Sequence, residues 1–85
     1  MDVYNIVLHP YVTEKTMNNM EKNNCLEFVV RRTSNKQEIK DAVEEMFDVK
    51  VKKITTRITT TGKHAIVTFM PDFNAEDIGM RIGVF

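Results

Sequence analysis

The sequence has few of the features that mark secreted, membrane-bound or disordered proteins. Its one cysteine, Cys25, cannot form a disulfide within the chain, which fits a reducing compartment. No apolar run approaches the roughly 20 residues that span a bilayer, and the first residues show neither a charged leader nor a signal-like apolar stretch. With three glycines, two prolines and 42% hydrophobic residues, the composition is that of a globular domain. We expect one small, soluble, cytoplasmic domain over residues 1–85.

Recognisable patterns for catalysis and metal binding are also missing from the sequence. His9, His64 and Cys25 are the soft metal ligands, and they are too scattered to form a ligand pair. There is no nucleophile motif and no glycine-rich phosphate loop. Glu44 and Glu45 are neighbours on a predicted helix, where they point about 100° apart, so a solvated face explains them better than a catalytic pair. The sequence predicts a protein that is not an enzyme and binds no metal or cofactor.

Charge is balanced in total but sorted along the chain. Twelve basic and twelve acidic residues give a formal net charge of zero. Acids gather on a predicted helix over 35–48, whereas the segment 49–63 has no acid and carries five cations, namely Lys50, Lys52, Lys53, Arg57 and Lys63. Because local potential rather than total charge attracts a polyanion, this sorting predicts one cationic face for RNA. The alternative is that the lysines only protect an edge strand from aggregation.

Hydrophobic periodicity predicts an α+β fold. The predicted strands are 3–8, 25–31, 50–58 and 63–70, and the predicted helices are 13–22, 35–48 and 75–81. Thr13 and Asn74 are the predicted N-caps of the first and last helices, and the first helix is expected to be weakened by its asparagines, Asn18, Asn19, Asn23 and Asn24. The central helix starts with a capping box, from either Ser34 with Gln37 or Asn35 with Glu38. A right-handed crossover makes strands 25–31 and 50–58 parallel, and strand 63–70 returns between them.

This order is a split β-α-β arrangement: a four-stranded, mostly antiparallel sheet with the central helix on one face and short N- and C-terminal helices. The apolar pattern of the third strand changes phase between Val51 and Ile54. We therefore predict a bulge near Lys52 and Lys53 that leaves both lysines at an exposed edge.

Three segments carry a family resemblance: HPYVTEKT (9–16), NKQEIKDAVEEMFDVKVKKITT (35–56) and GKHAIVTF (62–69). Together they resemble the universal large-subunit ribosomal protein numbered twenty-three, and the ending IGVF looks archaeal. The resemblance implies a small domain on large-subunit rRNA beside the polypeptide exit tunnel, in contact with neighbouring ribosomal proteins. The turn over 59–63 is too short for the long hairpin of bacterial members, so we expect no sensing inside the tunnel.

The resemblance also implies which residues bind. It assigns rRNA contacts to Pro10, Lys15, Asn35, Lys36, Lys52, Lys53, Thr56, Arg57 and Lys63. From their own chemistry, Thr59 and His64 extend the cationic face, Arg31 and Arg32 add a second cationic corner with Asn35 and Lys36, and His9 beside Pro10 is also predicted to bind RNA. Val12, Thr13 and Glu14 match the patch where chaperones and the signal recognition particle dock. Thr55 stands where the family usually has asparagine, so this position departs from the family pattern of RNA contacts.

Two other functions remain open from the residues alone. A stand-alone split β-α-β domain would bind a protein or a small ligand through its sheet, and it would not enrich large-subunit rRNA. A small enzyme would need a convergent set of polar groups that the sequence does not display.

Overall fold

The computed structural model describes residues 3–83, apart from the side chains of residues 3, 4 and 8. Part of the ending IGVF, residues 84 and 85, therefore lies outside the described residues. Helices and strands follow one another as α1 (Val3–Ile6), β1 (Val7–Pro10), α2 (Glu14–Asn23), β2 (Cys25–Val30), α3 (Lys36–Phe47), β3 (Val51–Thr59), β4 (Gly62–Phe69) and α4 (Ala75–Ile82).

The four strands form one sheet in the order β1-β2-β4-β3, and each neighbouring pair is antiparallel. Val67 of β4 lies opposite Leu26 of β2 on one side and Ile54 of β3 on the other. Since β2 and β3 are both antiparallel to β4, they run in the same direction, and α3 makes the crossover between them. The predicted α+β class and split β-α-β topology are confirmed.

The core lies between α3 and one face of the sheet, called here the helix face. Ile39, Ala42 and Val43 of α3 are 0% exposed, which is the stripe expected from their helical spacing. They pack with the inward residues of β2, β3 and β4, including Phe28 and Val67. Burying a valine, isoleucine or phenylalanine side chain contributes about 1.5–3 kcal/mol relative to leaving it exposed. Because the core is made of such residues, this face supplies most of the domain's stability.

The start of α3 is set by the second of the two predicted capping boxes. The Asn35 carbonyl oxygen Oδ1 accepts from the Glu38 backbone N–H at 2.8 Å, and the Glu38 carboxylate accepts from the Asn35 N–H at 3.1 Å. Ser34 is buried beside this cap. At the other end, Asp48 takes the left-handed conformation with φ 54° and ends the helix.

The first predicted strand is wrong over half its length. Val3–Ile6 form a helical turn, and only Val7–Pro10 pair with β2. The Arg31 backbone N–H donates to the Ile6 carbonyl at 2.8 Å, so the turn is attached at the end of β2. A short apolar run fits a helix as well as a strand, which is why periodicity misassigned it.

Asn24, at the end of α2, organises the junction between two parts of the chain. It has φ 55°, a conformation that asparagine tolerates better than most residues. Its side chain donates to the Phe73 carbonyl at 2.8 Å and accepts from the Ala75 N–H at 2.7 Å. One residue therefore ends α2, begins β2 and attaches the start of α4. The asparagines near α2 were expected to weaken it, but this one holds it in place.

Candidate nucleic-acid interface

The bulge predicted in β3 is confirmed. The pairing with β4 shifts register between Val51 and Lys53. Val51 and Ile54 are both buried although three residues apart, so an extra residue is needed for both to reach the core. Lys52 and Lys53 are exposed at this bulge, on the outer strand of the sheet.

The face of the sheet that points away from α3, called here the groove face, carries a different set of side chains. Directly paired residues lie on the same face, so Lys53 with Thr68, Thr55 with Ile66, and Arg57 with His64 mark this surface. On β2 the same face is formed by Cys25, Glu27 and Val29, which are all buried. The groove face is therefore charged and polar where the helix face is apolar.

A groove crosses this face between α2 and β3. It consists of two cavities of about 390 and 310 Å³ that share Asn19 of α2 and Ile66 of β4. The larger cavity is lined by Lys52 and Lys53, and the smaller is lined by Lys15 from α2 and Arg57 from β3. Cations from α2 and β3 thus border the smaller cavity, and the larger cavity adjoins it at Asn19 and Ile66.

Hydrogen-bonding side chains that the sequence did not single out complete this groove. They are Asn19 and Asn23 on α2 and Thr68 on β4, and they lie in the same cavity as Thr55 of β3, which the sequence had marked as a departure from the family. The available signals were the spacing of four residues between Asn19 and Asn23 on the helix, and the period of two that puts Thr68 on the opposite side of its strand from the apolar Val67 and Phe69. Sequence reasoning treated the asparagines as weakening residues and so missed this wall of the groove.

A buried acid lies behind Arg57. Glu27 is 6% exposed, and its oxygen Oε2 accepts from Arg57 Nη2 at 2.8 Å. This hydrogen bond and the charge of Glu27 raise the pKa of Arg57 above its ordinary value, so the guanidinium stays charged. The same oxygen lies 2.7 Å from Nδ1 of His64. Nε2 of His64 lies 2.8 Å from the Thr61 hydroxyl, and the Tyr11 ring meets the imidazole edge-on at 4.6 Å.

The surface position expected for His64 is wrong, because this residue is 1% exposed. It serves inside the protein as a partner of Glu27 rather than as a side chain open to a ligand. Glu27 was not predicted as a site residue, although an acid in the middle of an apolar strand (CLEFVV) was the available signal.

Lys63 lies on the opposite side of the sheet from Lys53 and Arg57. Its ammonium donates to the Ser34 carbonyl, which ties β4 to the loop before α3. Arg31, Arg32, Asn35 and Lys36 are exposed around this loop, and together with Lys63 they form the α3 corner. Lys63 was expected on one cationic face with Lys53 and Arg57, and this is wrong: it belongs to the second cationic corner, so the groove and the α3 corner are two separate surfaces.

Thr56 and Thr59 are the hairpin threonines predicted to bind RNA. Thr56 lies on the helix-face side of β3, and Thr59 lies at the turn. Thr56 pairs with Ala65, which places it on the side away from Arg57. The Thr59 hydroxyl lies 2.8 Å from that of Thr61 and accepts from the Thr61 N–H at 3.2 Å. Thr59 therefore holds the turn in shape.

The loop between β1 and α2 exposes the residues predicted for factor docking. Val12 is 44% exposed, and Glu14 is exposed on the first turn of α2. The Thr13 hydroxyl is occupied as the N-cap, accepting from the Thr16 N–H at 3.2 Å. His9 and Pro10, predicted for RNA, are exposed just before this loop, where Nδ1 of His9 lies 3.0 Å from the Pro10 carbonyl.

Within residues 3–83, no group of three or more histidine, cysteine or acidic side chains is arranged to hold a metal ion. The helices of this same stretch are all too short or too polar to cross a membrane.

Burial, and after it the negative charge of Glu27, raise the pKa of the Cys25 thiol above its ordinary value. A neutral, buried thiol of this kind is a packing residue.

The fold and the groove define a class of small α+β domains that present a basic sheet face beside a helix-covered core. The sequence model of ribosomal protein L23 matches residues 5–75. The large ribosomal subunit protein uL23 of Methanobrevibacter smithii is 48% identical over 86 aligned residues, covering 100% of both chains. Those of Methanothermobacter thermautotrophicus (44%, 100% of both chains) and Haloarcula marismortui (43%, 96% of this chain and 98% of the relative) are also similar. The chain belongs to the ribosomal protein L23 family. It is a structural protein of the ribosome and not an enzyme, as predicted.

Proposed function

We propose that this protein is a structural constituent of the large ribosomal subunit in the cytoplasm, and that it binds large-subunit rRNA beside the polypeptide exit tunnel. The archaeal relatives that it matches over their full length are named as large-subunit proteins. The observation that carries the rRNA assignment is the groove, where cations from α2 and β3 border one depression. Neighbouring ribosomal proteins are its other expected contacts.

The chemistry of the groove suits an RNA backbone. Lys15, Lys52, Lys53 and Arg57 neutralise phosphates, and this term dominates affinity and makes it salt-dependent. Asparagine and threonine side chains along the groove donate to phosphate and ribose oxygens, which fixes the register without reading sequence. The recognition is therefore of RNA shape.

The α3 corner provides a second contact. Because it lies on the other side of the sheet, one straight RNA helix cannot occupy both the groove and the corner. The rRNA must either bend around the β3–β4 turn or supply two separate segments. Folded rRNA supplies such neighbouring segments, whereas a simple duplex does not.

The groove assignment is tested by removing two of its cations and measuring binding of an rRNA fragment at several salt concentrations. The K52A/K53A variant should lower the slope of log affinity against log salt by about two units, since each phosphate contact contributes about one. The matched control is K40A/R81A, which removes the same charge from α3 and α4. Equal slopes for the two variants would contradict a role for the bulge.

Ribosome association is tested separately, by sedimentation of the tagged protein with ribosomal subunits. We expect it in the large-subunit fraction and enriched with its rRNA. A tagged protein that stays with free proteins would instead support the stand-alone interaction domain.

The docking surface is the exposed loop at Val12 and Glu14, offered to nascent-chain factors such as the signal recognition particle. Its accessible atoms are an apolar side chain and a carboxylate on the first turn of α2. Glu14→Ala should leave rRNA binding intact and weaken recruitment of targeting factors to the subunit. Glu21→Ala removes an exposed acid from the other end of the same helix and is the control. If Glu14→Ala instead blocked assembly into the subunit, the docking and RNA surfaces would be interchanged.

A further inference from the structure

The buried acid in the groove is unexpected in a site for a polyanion. Glu27 lines the smaller cavity together with Lys15 and Arg57, and its negative charge repels any phosphate that enters. On charge alone, a neutral residue at this position would give the groove a higher affinity for RNA. The geometry around Glu27 gives a reason for its presence.

Glu27 is fixed by contacts inside the protein. Its oxygen Oε2 lies 2.7 Å from His64 Nδ1, and His64 is held in turn by the Thr61 hydroxyl and the edge of the Tyr11 ring. A carboxylate held this way loses little further freedom when it binds a partner. It therefore acts as a rigid acceptor for the 2.8 Å hydrogen bond from Arg57.

Arg57 lies at the boundary between this cluster and the groove. Its side chain is 46% exposed, whereas that of Glu27 is 5% exposed. A guanidinium carries five N–H donors in a planar fork, and the bond to Glu27 uses a donor on Nη2. The remaining donors are available to a phosphate, and Lys15 lines the same cavity from α2. Because the bond from Nη2 to Glu27 fixes the plane of the Arg57 guanidinium, its other donors are oriented to form two hydrogen bonds to one phosphate.

We propose that Glu27 is a positioning residue, which holds Arg57 so that its guanidinium binds an rRNA phosphate in two-point geometry. The gain from this fixed geometry outweighs the repulsion between the Glu27 carboxylate and the RNA. This inference rests on the proposed rRNA binding of the groove and adds the residue that orients its arginine.

The direction in which Glu27→Gln changes the affinity for RNA separates a positioning role from a purely electrostatic one. Glu27→Gln removes the repelling charge, so charge alone predicts tighter binding of the rRNA fragment. Positioning predicts weaker binding, by about threefold or more, as expected for directly coupled residues. In an Arg57→Ala background the loss should vanish or become a gain, because Glu27 then has no arginine to orient. A merely structural role for Glu27 would lower affinity equally in both backgrounds.

A second readout follows the arginine itself. In the wild-type protein the Arg57 side-chain N–H signals should show a restricted guanidinium by NMR, and in the Glu27→Gln variant they should average through free rotation. Glu21→Gln neutralises an exposed acid on α2. It should leave the Arg57 side-chain signals unchanged and alter the affinity for the rRNA fragment by less than twofold. Thermal unfolding of each variant confirms that folded protein is compared.

Arg57→Lys provides a test that leaves the buried cluster unchanged if Glu27→Gln does not fold. Lysine keeps the charge but has no fork, so positioning predicts binding close to that of Arg57→Ala. Wild-type affinity for Arg57→Lys, or tighter binding by Glu27→Gln, would overturn the inference while leaving rRNA binding by the groove intact. Failure of the wild-type protein to bind rRNA would instead overturn the proposed function.

Discussion

The two faces of the sheet are built from the same strands and serve opposite purposes. On the helix face, Ala65, Val67 and Phe69 of β4 are at most 1% exposed beneath the helix layer. On the groove face, the alternate residues His64, Ile66 and Thr68 contact polar neighbours or line the groove. An antiparallel sheet can pack one face against the core and leave the other facing solvent. In this chain the second face carries charged and polar side chains.

The comparison shows how a small domain divides its sequence between stability and binding. At 85 residues the chain has little apolar surface to spare, so the helix face must supply most of the stability. The groove face buries Glu27 and His64 only because they bond to each other and to their neighbours. Among the described residues, every buried side-chain nitrogen or oxygen has a hydrogen-bond partner. Burying polar atoms on the groove face therefore costs little free energy, because each of them keeps a hydrogen bond.

The largest effect is expected from an apolar substitution in the core. Ile39→Ala should lower the free energy of unfolding by about 2–5 kcal/mol, because it leaves a cavity under α3. Ile58→Ala changes a residue that is 61% exposed and should stay within about 0.5 kcal/mol. Urea unfolding measures both variants, and the salt slope of the folded Ile39→Ala protein should equal that of wild type. If the Ile58→Ala variant were as unstable as Ile39→Ala, burial beneath α3 would not be the source of the stability.

A single residue is predicted to affect both faces. Asn24→Ala loses the side-chain bonds to Phe73 and Ala75 and places alanine at φ 55°. We expect a loss of about 3–4 kcal/mol in unfolding free energy, from about 1 kcal/mol for each of the two hydrogen bonds and 1–2 kcal/mol for the left-handed backbone.

The same change should weaken rRNA binding in the folded protein, since α2 forms one wall of the groove. The exposed neighbour Asn23 provides the control: Asn23→Ala should reduce affinity alone, with urea unfolding unchanged within about 0.5 kcal/mol. Equal stabilities of the two variants would show that Asn24 does not join the faces.

The smallest effect is expected at the start of α3. Asn35→Ala removes the N-cap and should cost about 1 kcal/mol, measured by urea unfolding. Asn35→Asp keeps the accepting oxygen and should restore most of that stability, while its new charge weakens rRNA binding at the α3 corner. If Asn35→Asp bound rRNA as well as wild type, the corner would serve the fold alone.

Much of the fold followed from local patterns in the sequence. The apolar stripe on α3, the caps at Thr13, Asn35 and Asn74, and the phase change that makes the bulge are local signals, and each appears where predicted. The helical turn over Val3–Ile6 was missed, because four apolar and polar residues fit either periodicity. Its conformation depends on attachment to the end of β2, a contact distant in sequence.

The arrangement of the site depends on pairing between strands and was harder to predict. Which side of the sheet Lys63 takes is decided by the register between β3 and β4, and a one-residue shift would reverse it. His64 meets Glu27 only because β4 lies beside β2, 37 residues away in sequence. The predicted cations and their second corner at 31–36 followed from the sequence, but the position of Lys63 at that corner, rather than beside Lys53 and Arg57, required the structure.

The central claim is that rRNA occupies the groove, and that on the other side of the sheet it contacts only the α3 corner and not the length of α3. Its most direct test is an NMR titration of the labelled protein with the large-subunit rRNA fragment. We predict that the signals of Asn19, Thr55 and Ile66 change on binding, while those of Ala42 and Val43 in α3 stay where they were. Large changes along α3, with an unaltered groove, would contradict the account.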